Sequence, residues 1–363
     1  MSESDWDFAH LGLKETQAGT HFFHHWTAKF IPQIPRRVIE TYARPGDVVL
    51  DPFMGCGTTL VEAARLGHDA WGTDINPLAY RIAKAKTARV NDTQLNELIE
   101  WLKEAAKEPQ RHAASSADLF KGSDNWFRED VSRAIRAILD RAAELEQNTQ
   151  DFALIGLSDL LKGMSNARMD RTLPTLPKTP QYVDKKHYYR VVDNETRPIN
   201  PFSRVAAQLE RMQRALEQFH AEARGSADPL LHDARDLASL RRKAQLAVTS
   251  PPYWSAQNYQ GMHKLSFQVL GLKEPGRAEI GRRAEDYLPD MQAVIEQLTE
   301  VLAGHFALVI GESKDGIHET VRDQCVGAGM RLVQAHSRQV INQAFFAKRV
   351  KREFVYVFFA DGA

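Results

Sequence analysis

One stretch of the chain predicts its architecture: Asp47-Val-Val-Leu-Asp-Pro-Phe-Met-Gly-Cys-Gly-Thr-Thr-Leu-Val-Glu-Ala-Ala-Arg65. Residues 47–51 form a short apolar run with two β-branched valines, which is typical of a buried strand. A glycine-containing loop follows, and then a helical spacing that ends near Gly67. The next segments predict a second strand at 69–74 and a second helix at 78–88, with Pro77 in its first turn. This order predicts the opening half of a doubly wound α/β sheet.

The remaining strands of the sheet come late in the chain. Apolar runs predict strands at 229–233, 244–249 and 305–310, a closing pair at 332–340 and 353–359, and helices at 286–302 and 318–328. Between the two halves, amphipathic helices are expected at 94–106, 131–146 and 202–222, with a loop-like stretch at 166–201. We therefore predict an α/β, Rossmann-like sheet with helices on both faces. Residues 1–84 and 228–363 build it, and a largely helical insertion at 85–227 interrupts it.

The composition narrows the class of protein. The 363 residues carry 47 Lys/Arg and 47 Asp/Glu, so the chain as a whole has no net charge to attract a polyanion. The charge is unevenly distributed along the chain, because residues 156–214 hold 11 Lys/Arg against six Asp/Glu. This local excess of positive charge favours a nucleic-acid partner. No apolar run has membrane-spanning length and no secretory signal is recognisable, so the cytoplasm is the expected location and no membrane role is expected. Two cysteines and the cluster His21, His24 and His25 lack the partners of a metal site, so no metal is expected.

The loop between the first strand and the first helix suits a small ligand. Gly55 and Gly57 permit a tight turn and a close approach of the backbone to a ligand. Free N–H groups near Thr58 and Thr59 favour an anionic group. Leu60 stands where a dinucleotide fold needs its third glycine, and no phosphate-binding lysine follows. The loop is therefore poor for pyrophosphate and suits a ligand with a carboxylate and a neutral adenosine.

Acidic residues are expected at the ends of three consecutive strands. Asp74 ends the second strand, where a carboxylate accepts hydrogen bonds from both ribose hydroxyls, and Asp233 ends the third, placed to accept from an adenine amino group. The alternative is that these acids and glycines are only turn and cap residues. Three acids beside one loop favour the ligand site, with Asp51 at the end of the first strand. The predicted contacts are Asp51, Pro52, Phe53, Gly55, Gly57, Thr58, Thr59, Asp74, Ile75, Asn76, Asp233 and Ala234.

A second motif, Ser250-Pro-Pro-Tyr253, directly follows the strand at 244–249. The prolines lack backbone donors and have restricted dihedrals, so the carbonyls of Ser250 and Pro251 can be held toward a pocket. This pattern suits chemistry at the exocyclic amine of a nucleobase, whose lone pair is delocalised into the ring. The Ser250 hydroxyl and the Pro251 carbonyl would accept hydrogen bonds from the N–H groups of this amine. These bonds would localise its lone pair for attack on a methyl donor. Tyr253 would stack on a base that has left the duplex. The alternative is an ordinary turn.

The two motifs together resemble those of the amino-methylating DNA methyltransferases, which act on N4 of cytosine or N6 of adenine. By this resemblance the loop binds S-adenosylmethionine, and the catalytic residues are Ser250, Pro251, Pro252 and Tyr253, in the serine form typical of N4-cytosine enzymes. The segment His25-Trp-Thr-Ala-Lys-Phe-Ile-Pro-Gln-Ile-Pro35 resembles the strap over the methionine end of the cofactor, which adds Lys29, Phe30 and Pro32 to the expected contacts. The resemblance covers residues 21–90 and 229–359. Many serine-form enzymes carry the catalytic motif first, and a circular permutation accounts for the order found here.

The resemblance implies a class I methyltransferase fold and site-specific methylation of cytosine N4 in duplex DNA by base flipping. It also implies a place in restriction–modification, with a cognate restriction enzyme as a possible partner. Three alternatives stay open: transfer to adenine N6, an RNA amino-group methyltransferase, and a non-catalytic partner that binds DNA or another subunit. The two intact motifs argue against the last of these.

DNA recognition is expected in the insertion, at the basic segment 156–214. Its expected contacts with phosphates or guanine edges are Arg168, Arg171, Lys185, Lys186 and Arg190. The loop after the catalytic motif adds Asn258, Tyr259 and Arg282, which are expected near the flipped base or its backbone. For any single residue the alternative is a solvated basic surface.

Overall fold

A single mixed sheet forms the centre of the molecule. The computed structural model describes residues 6–8, 10–26, 29–167, 173–176, 199–252, 259–276, 280, 284–313, 315–340 and 352–361. Within these ranges the strands are β1 (Val49–Asp51), β2 (Ala70–Asp74), β3 (Ala227–Leu231), β4 (Ala244–Thr249), β5 (Leu302–Gly311), β6 (Arg331–Gln339) and β7 (Arg352–Ala360).

The strand order is β3-β2-β1-β4-β5-β7-β6. The first five strands in sequence pair in parallel, whereas β7 runs antiparallel to both β5 and β6. Val49 of β1 is paired with Ala70 on one side and with Leu246 on the other, so the chain has crossed the sheet between these strands. Such a crossing leaves a crevice at the carboxyl ends of β1 and β4. The predicted Rossmann-like sheet is confirmed.

Helices cover both faces of the sheet. The longer ones are α1 (Gln33–Tyr42), α2 (Thr58–Arg65), α3 (Pro77–Thr87), α4 (Asp92–Lys107), α5 (Glu129–Ala142), α6 (Gln147–Met164), α7 (Pro201–Glu222), α8 (Lys264–Val269), α9 (Ala284–Val301) and α10 (Ile317–Gly327). Successive residues of β1 point to opposite faces, so Val49 packs in the core under α1 and α2, and Leu50 packs in the core under α9 and α10. Burial on both faces explains the continuous apolar runs of the parallel strands.

The predicted insertion shares a core with the sheet domain. Helices α4 to α7 bury one apolar cluster with α2 and α3, in which Val61 and Ile82 join Ile135, Phe152 and Leu209. The predicted boundary at residues 84 and 85 falls inside α3, where Ala85 is buried. The insertion is therefore packed against the catalytic half along its helices.

Three expectations need correction. The third strand ends at Leu231 instead of residue 233, because Asp233 caps the 3-10 helix Ala234–Leu240 by accepting from the Arg235 amide N–H at 2.9 Å. A helix at 147–164 was not expected, yet α6 is there and is largely buried. As a result, the segment expected to recognise DNA begins at Gly156 in the middle of a core helix.

Among the described residues, no helix is both long and apolar enough to cross a bilayer.

Candidate functional site

A cleft with about 730 Å³ of empty space, part of which is open solvent, lies at the carboxyl ends of β1, β2 and β4 and is called the cavity below. Both motifs reach it. Its described lining comprises Trp26, Pro52, Phe53, Gly55, Asp74, Ile75, Asn76, His232, Asp233, Ala234, Ser250, Pro251, Pro252, Pro275 and Ile280. Eleven of these fifteen side chains were predicted from the sequence as cofactor-binding or catalytic residues. The cavity therefore lies at the crevice beside β1 where the chain crosses the sheet, and ligands of α/β sheets bind at such crevices.

The glycine loop turns through left-handed backbone conformations. Gly55 has φ of 49° and Gly57 has φ of 79°, which other residues adopt only with strain. A Cβ on Gly57 would lie 2.8 Å from Cβ of Ala83 in α3, so this glycine also permits close helix packing. Gly55 faces the cavity and Gly57 lies behind it, at the start of α2 with Thr58 and Thr59. Of the loop residues just named, which were all predicted to contact the ligand, Gly55 therefore faces the cavity and the other three do not.

Asp51 lies behind the loop and does not line the cavity. Its carboxylate accepts hydrogen bonds from the hydroxyls of Thr59 and Thr249, both at 2.6 Å, and from the Phe53 amide N–H at 3.1 Å. These bonds connect β1, β4 and α2. Burial raises the pKa of Asp51 to about 7, against the lowering effect of its three hydrogen bonds. The expectation that Asp51 faces the ligand is therefore corrected, because its oxygens are directed into the protein.

Asp74 lines the cavity at the end of β2. Its Oδ1 accepts from the Asn76 amide N–H at 2.7 Å and its Oδ2 accepts from the Gly55 amide N–H at 3.1 Å, so the carboxylate is held between the loop and the start of α3. Burial raises the pKa of Asp74 to about 6. The Asn76 side chain caps α3 by accepting from the Leu78 amide N–H at 3.0 Å. An oriented carboxylate in this position can accept from two vicinal hydroxyls.

Asp233 lines the cavity beyond β3 and is paired with Arg235. The guanidinium Nη2 donates to Asp233 Oδ2 at 2.6 Å and the Nε donates to Oδ1 at 3.0 Å. Burial alone would raise the pKa of Asp233, but the hydrogen bonds and charge of Arg235 outweigh it and hold the pKa below its ordinary value. Asp233 is therefore an ionised acceptor on the cavity wall next to Ala234.

The strap residues that the resemblance suggested lie behind the cavity wall. Lys29 Nζ donates to the His21 carbonyl at 2.8 Å, and burial lowers its pKa to about 8. Phe30 is buried under α1, and Pro32 directly precedes that helix. The strap instead presents Trp26, which the sequence analysis had not singled out. Trp26 is the second residue of the segment that resembles the strap, but spacing alone did not distinguish it from its neighbours.

The strap is anchored to the insertion. The His25 amide N–H donates to Asp159 Oδ1 at 2.8 Å, and His24 Nε2 lies 2.9 Å from Ser158 Oγ. Trp26 stacks on His263, with ring centroids 4.7 Å apart and planes 8° from parallel. Burial lowers the pKa of His24 to about 3, so its ring is neutral near pH 7. In the described part of the chain, no group of three or more His, Cys, Asp or Glu is placed to hold a metal ion.

The second motif forms the wall that adjoins β4. Ser250, Pro251 and Pro252 all line the cavity, directly after the buried Thr249. Tyr253 lies outside the described residues. The same holds for most of the predicted DNA contacts, namely Arg168, Arg171, Lys185, Lys186, Arg190, Asn258 and Arg282. Tyr259 begins the short helix Tyr259–Met262, and its side chain lies outside the described part. The cavity wall also includes His232, Pro275 and Ile280, which no motif had indicated.

Known proteins resemble this chain in part. Residues 3–85 match a family model described as DNA methylase. The chain is 31% identical over 171 residues to the Type II methyltransferase M.MvaI of Kocuria varians, which covers 44% of this chain and 38% of that protein. It is 36% identical over 97 residues to the Type II methyltransferase M.MjaII of Methanocaldococcus jannaschii, which covers 26% of this chain and 18% of that protein.

A longer but weaker match extends over most of the chain. The Type II methyltransferase M.BsoBI of Geobacillus stearothermophilus is 21% identical over 302 residues, which covers 76% of this chain and 58% of that protein. The chain therefore spans less than two thirds of the length of each of these relatives. Among solved structures, the rRNA methyltransferase aviRa from Streptomyces viridochromogenes superposes with a TM-score of 0.39 at 12% identity, covering 96% of this chain and 94% of that chain. That score is too low to add to what the strand order shows.

Proposed function

We propose that the chain is an amino-methylating DNA methyltransferase and that it transfers a methyl group from S-adenosylmethionine to the exocyclic N4 of cytosine in duplex DNA. The similarity of residues 3–85 to a DNA methylase family model and of longer stretches to Type II methyltransferases supports this proposal. The sheet is the Rossmann-like class I methyltransferase sheet, and both the family and the fold are S-adenosylmethionine-dependent. One observation carries the proposal: Ser250, Pro251 and Pro252 share a cavity with the two acceptors Asp74 and Asp233.

The described cavity wall fits this cofactor better than a phosphorylated nucleotide. It carries two carboxylates, and no Lys or Arg is among its described lining residues. Such a wall repels phosphates and favours a ligand with positive charge. S-adenosylmethionine supplies a methyl group made electrophilic by a sulfonium cation.

The residues that would hold the cofactor follow from their positions. Asp74 would accept from the ribose hydroxyls, and Asp233 from the adenine amino group. Phe53, Ile75 and Ala234 would pack against the adenosine, and Gly55 would lie at the methionine end with Trp26. The remaining predicted contacts would support this site from behind the wall: Lys29, Phe30, Pro32, Asp51, Gly57, Thr58 and Thr59.

Ser250 and Pro251 would prepare the target amine. Their oxygens would accept hydrogen bonds from its two N–H groups and draw the nitrogen toward tetrahedral geometry, which frees its lone pair for attack on the methyl carbon. The methyl–sulfur bond would break as the N–C bond forms, so that S-adenosylhomocysteine leaves, and the amine would lose one proton. Positioning then supplies most of the rate, because the methyl donor is already reactive. The target base would have to leave the duplex to reach the cavity, and Tyr253 is proposed to stack on it. Neither cysteine is proposed as a nucleophile, since both thiols are buried.

The Ser-Pro-Pro-Tyr motif supports the proposed target base, and the similar Type II methyltransferases support the proposed partners. Serine in the first position of the motif favours cytosine N4. The similarity to Type II methyltransferases supports duplex DNA as the substrate and a cognate restriction enzyme as a partner. We propose the basic residues of 168–190, together with Asn258, Tyr259 and Arg282, as the contacts with DNA.

Replacement of Ser250 tests the chemical role of the motif. We expect S250A to keep the dissociation constant for S-adenosylmethionine and to lower methyl transfer to duplex DNA by roughly 10- to 1000-fold, because one acceptor of the amine is lost. Calorimetry measures the first quantity and single-turnover transfer of labelled methyl measures the second. S203A, on the exposed surface of α7, is the control and should keep both. Transfer to RNA in place of DNA, or an unchanged rate in S250A, would contradict the proposal.

A further inference from the structure

Arg235 is a charged residue that the cofactor proposal leaves without a role. Its guanidinium lies between two carboxylates, because Nη2 donates to Asp233 Oδ2 at 2.6 Å and Nη1 donates to Asp290 Oδ1 at 2.7 Å. The Nε donates to Asp233 Oδ1 at 3.0 Å, which makes the contact with Asp233 bidentate. Bidentate pairs of this kind fix the plane of the carboxylate as well as its position. Arg235 itself does not line the cavity, whereas Asp233 does.

The second carboxylate anchors this pair to the body of the protein. Asp290 is on α9, which packs against the sheet through Met291 and Ile295. The 3-10 helix that carries Arg235 is also tied to α9, since the Ala238 amide N–H donates to Gln297 Oε1 at 2.9 Å. Arg235 is therefore held from behind, and its contact with Asp233 transmits the position of α9 to the cavity wall.

From this geometry we propose that Arg235 is a positioning residue, anchored by Asp290, that fixes the Asp233 carboxylate so that the site selects a cofactor with an amino group on its base. The inference rests on the proposed function, because it assigns the adenine end of the cofactor to Asp233. A carboxylate offers about four lone-pair sites. Asp233 Oδ1 accepts from the Arg235 amide N–H and from Nε, whereas Oδ2 accepts from Nη2 and makes only a longer contact of 3.3 Å with Nε, so Oδ2 keeps acceptor capacity for an amino group. The positive charge of Arg235 also keeps Asp233 ionised and therefore an acceptor at neutral pH.

Selectivity follows from the chemistry of the base. An adenine presents N–H donors at its amino group, whereas a hypoxanthine presents a carbonyl oxygen at the same position. A fixed carboxylate accepts from the first and repels the second. Without Arg235 the carboxylate can rotate away from an unfavourable neighbour, so both bases would be bound similarly. A side chain that only stabilised the fold would lower the affinity for both bases in the same proportion.

The test compares S-adenosylhomocysteine with S-inosylhomocysteine, whose bases differ in the substituent at C6 and in the proton that hypoxanthine carries on N1. Calorimetry on the full chain gives the ratio of their dissociation constants. We expect a preference of roughly 100-fold for the adenosyl ligand in the unsubstituted protein, about 10-fold or less in R235M, and an intermediate value in D290N. The control is R242M. It removes a comparable ion pair outside the cavity wall, in which Arg242 Nη1 donates to Asp228 Oδ2 at 2.5 Å, and it should keep the full ratio of the two dissociation constants.

The outcomes separate the inference from the proposed function. A ratio unchanged in R235M, or an equal loss of affinity for both ligands, would overturn the positioning role. Equal binding of both ligands by the unsubstituted protein would do the same. Binding of neither ligand would overturn the proposed function and this inference with it. Thermal midpoints of all variants show whether R235M is folded, and D290N provides the second variant if it is not.

Discussion

At the scale of single residues, two carboxylates near the cavity lie in different surroundings. Asp51 and Asp74 are the last residues of β1 and β2, and the sequence pattern predicted both as cofactor contacts. The structure separates them, because Asp51 accepts from Thr59 and Thr249 inside the protein whereas Asp74 lines the cavity. The pattern predicts the end of a strand, but the direction of the side chain depends on which hydroxyls lie across the sheet.

The pH dependence of cofactor binding should report on Asp74. Burial raises its pKa to about 6, so lowering the pH through 6 protonates it and removes the acceptor that we propose for the ribose hydroxyls. We expect binding of S-adenosylmethionine to be about tenfold weaker at pH 5 than at pH 7, as measured by calorimetry. D74N should bind weakly at every pH between 5 and 8, without this slope.

Asp51 titrates in the same range, and a second variant distinguishes the two groups. Burial raises the pKa of Asp51 to about 7, but its carboxylate faces the protein and not the ligand. D51N should therefore keep the loss of affinity at pH 5. If the slope disappears in D51N and persists in D74N, Asp74 is not the acceptor that we assign.

At the scale of elements, the helix α6 and the strap form one unit. The resemblance suggested the strap as a segment, but its anchors Ser158 and Asp159 lie more than a hundred residues away in sequence and in a helix that was not expected. Local periodicity indicates which face of a helix is apolar and leaves open which loop that helix touches. For the same reason Trp26 was missed, since its place on the cavity wall depends on this anchoring.

Removing the anchor should loosen the strap. The Asp159 carboxylate accepts from the His25 amide N–H, so D159N weakens a charge-assisted bond. We expect the His25 amide to exchange hydrogen roughly tenfold faster and the affinity for S-adenosylmethionine to fall several-fold, as measured by exchange mass spectrometry and calorimetry. D140N, on the exposed face of α5, is the control and should leave both unchanged. Unchanged exchange at His25 in D159N would show that the strap is held by other contacts.

At the scale of the whole molecule, the insertion and the sheet domain share one core. The sequence predicted where the strands of the α/β half lie along the chain, because parallel strands buried on both faces leave apolar runs with turn signals between them. It predicted the insertion as a separate recognition region, because a change in pattern marks a change in local structure and does not show packing. The cluster that joins Val61 and Ile82 to Phe152 and Leu209 could be seen only in three dimensions.

A shared core predicts cooperative unfolding. We expect a single thermal transition by calorimetry, with S-adenosylmethionine raising its midpoint as a whole, since a ligand that binds only the folded state stabilises everything that unfolds with it. Two transitions, of which the cofactor shifts only one, would instead establish the insertion as an independent domain.

The identity of the methylated nucleoside tests the central claim most directly. The pure protein is incubated with labelled S-adenosylmethionine and duplex DNA of mixed sequence, and the product is digested and resolved by mass. We predict N4-methylcytosine. N6-methyladenine would contradict the inference drawn from Ser250 while leaving the family and the cavity as described, and label in neither nucleoside, with transfer only to RNA, would contradict the assignment to DNA.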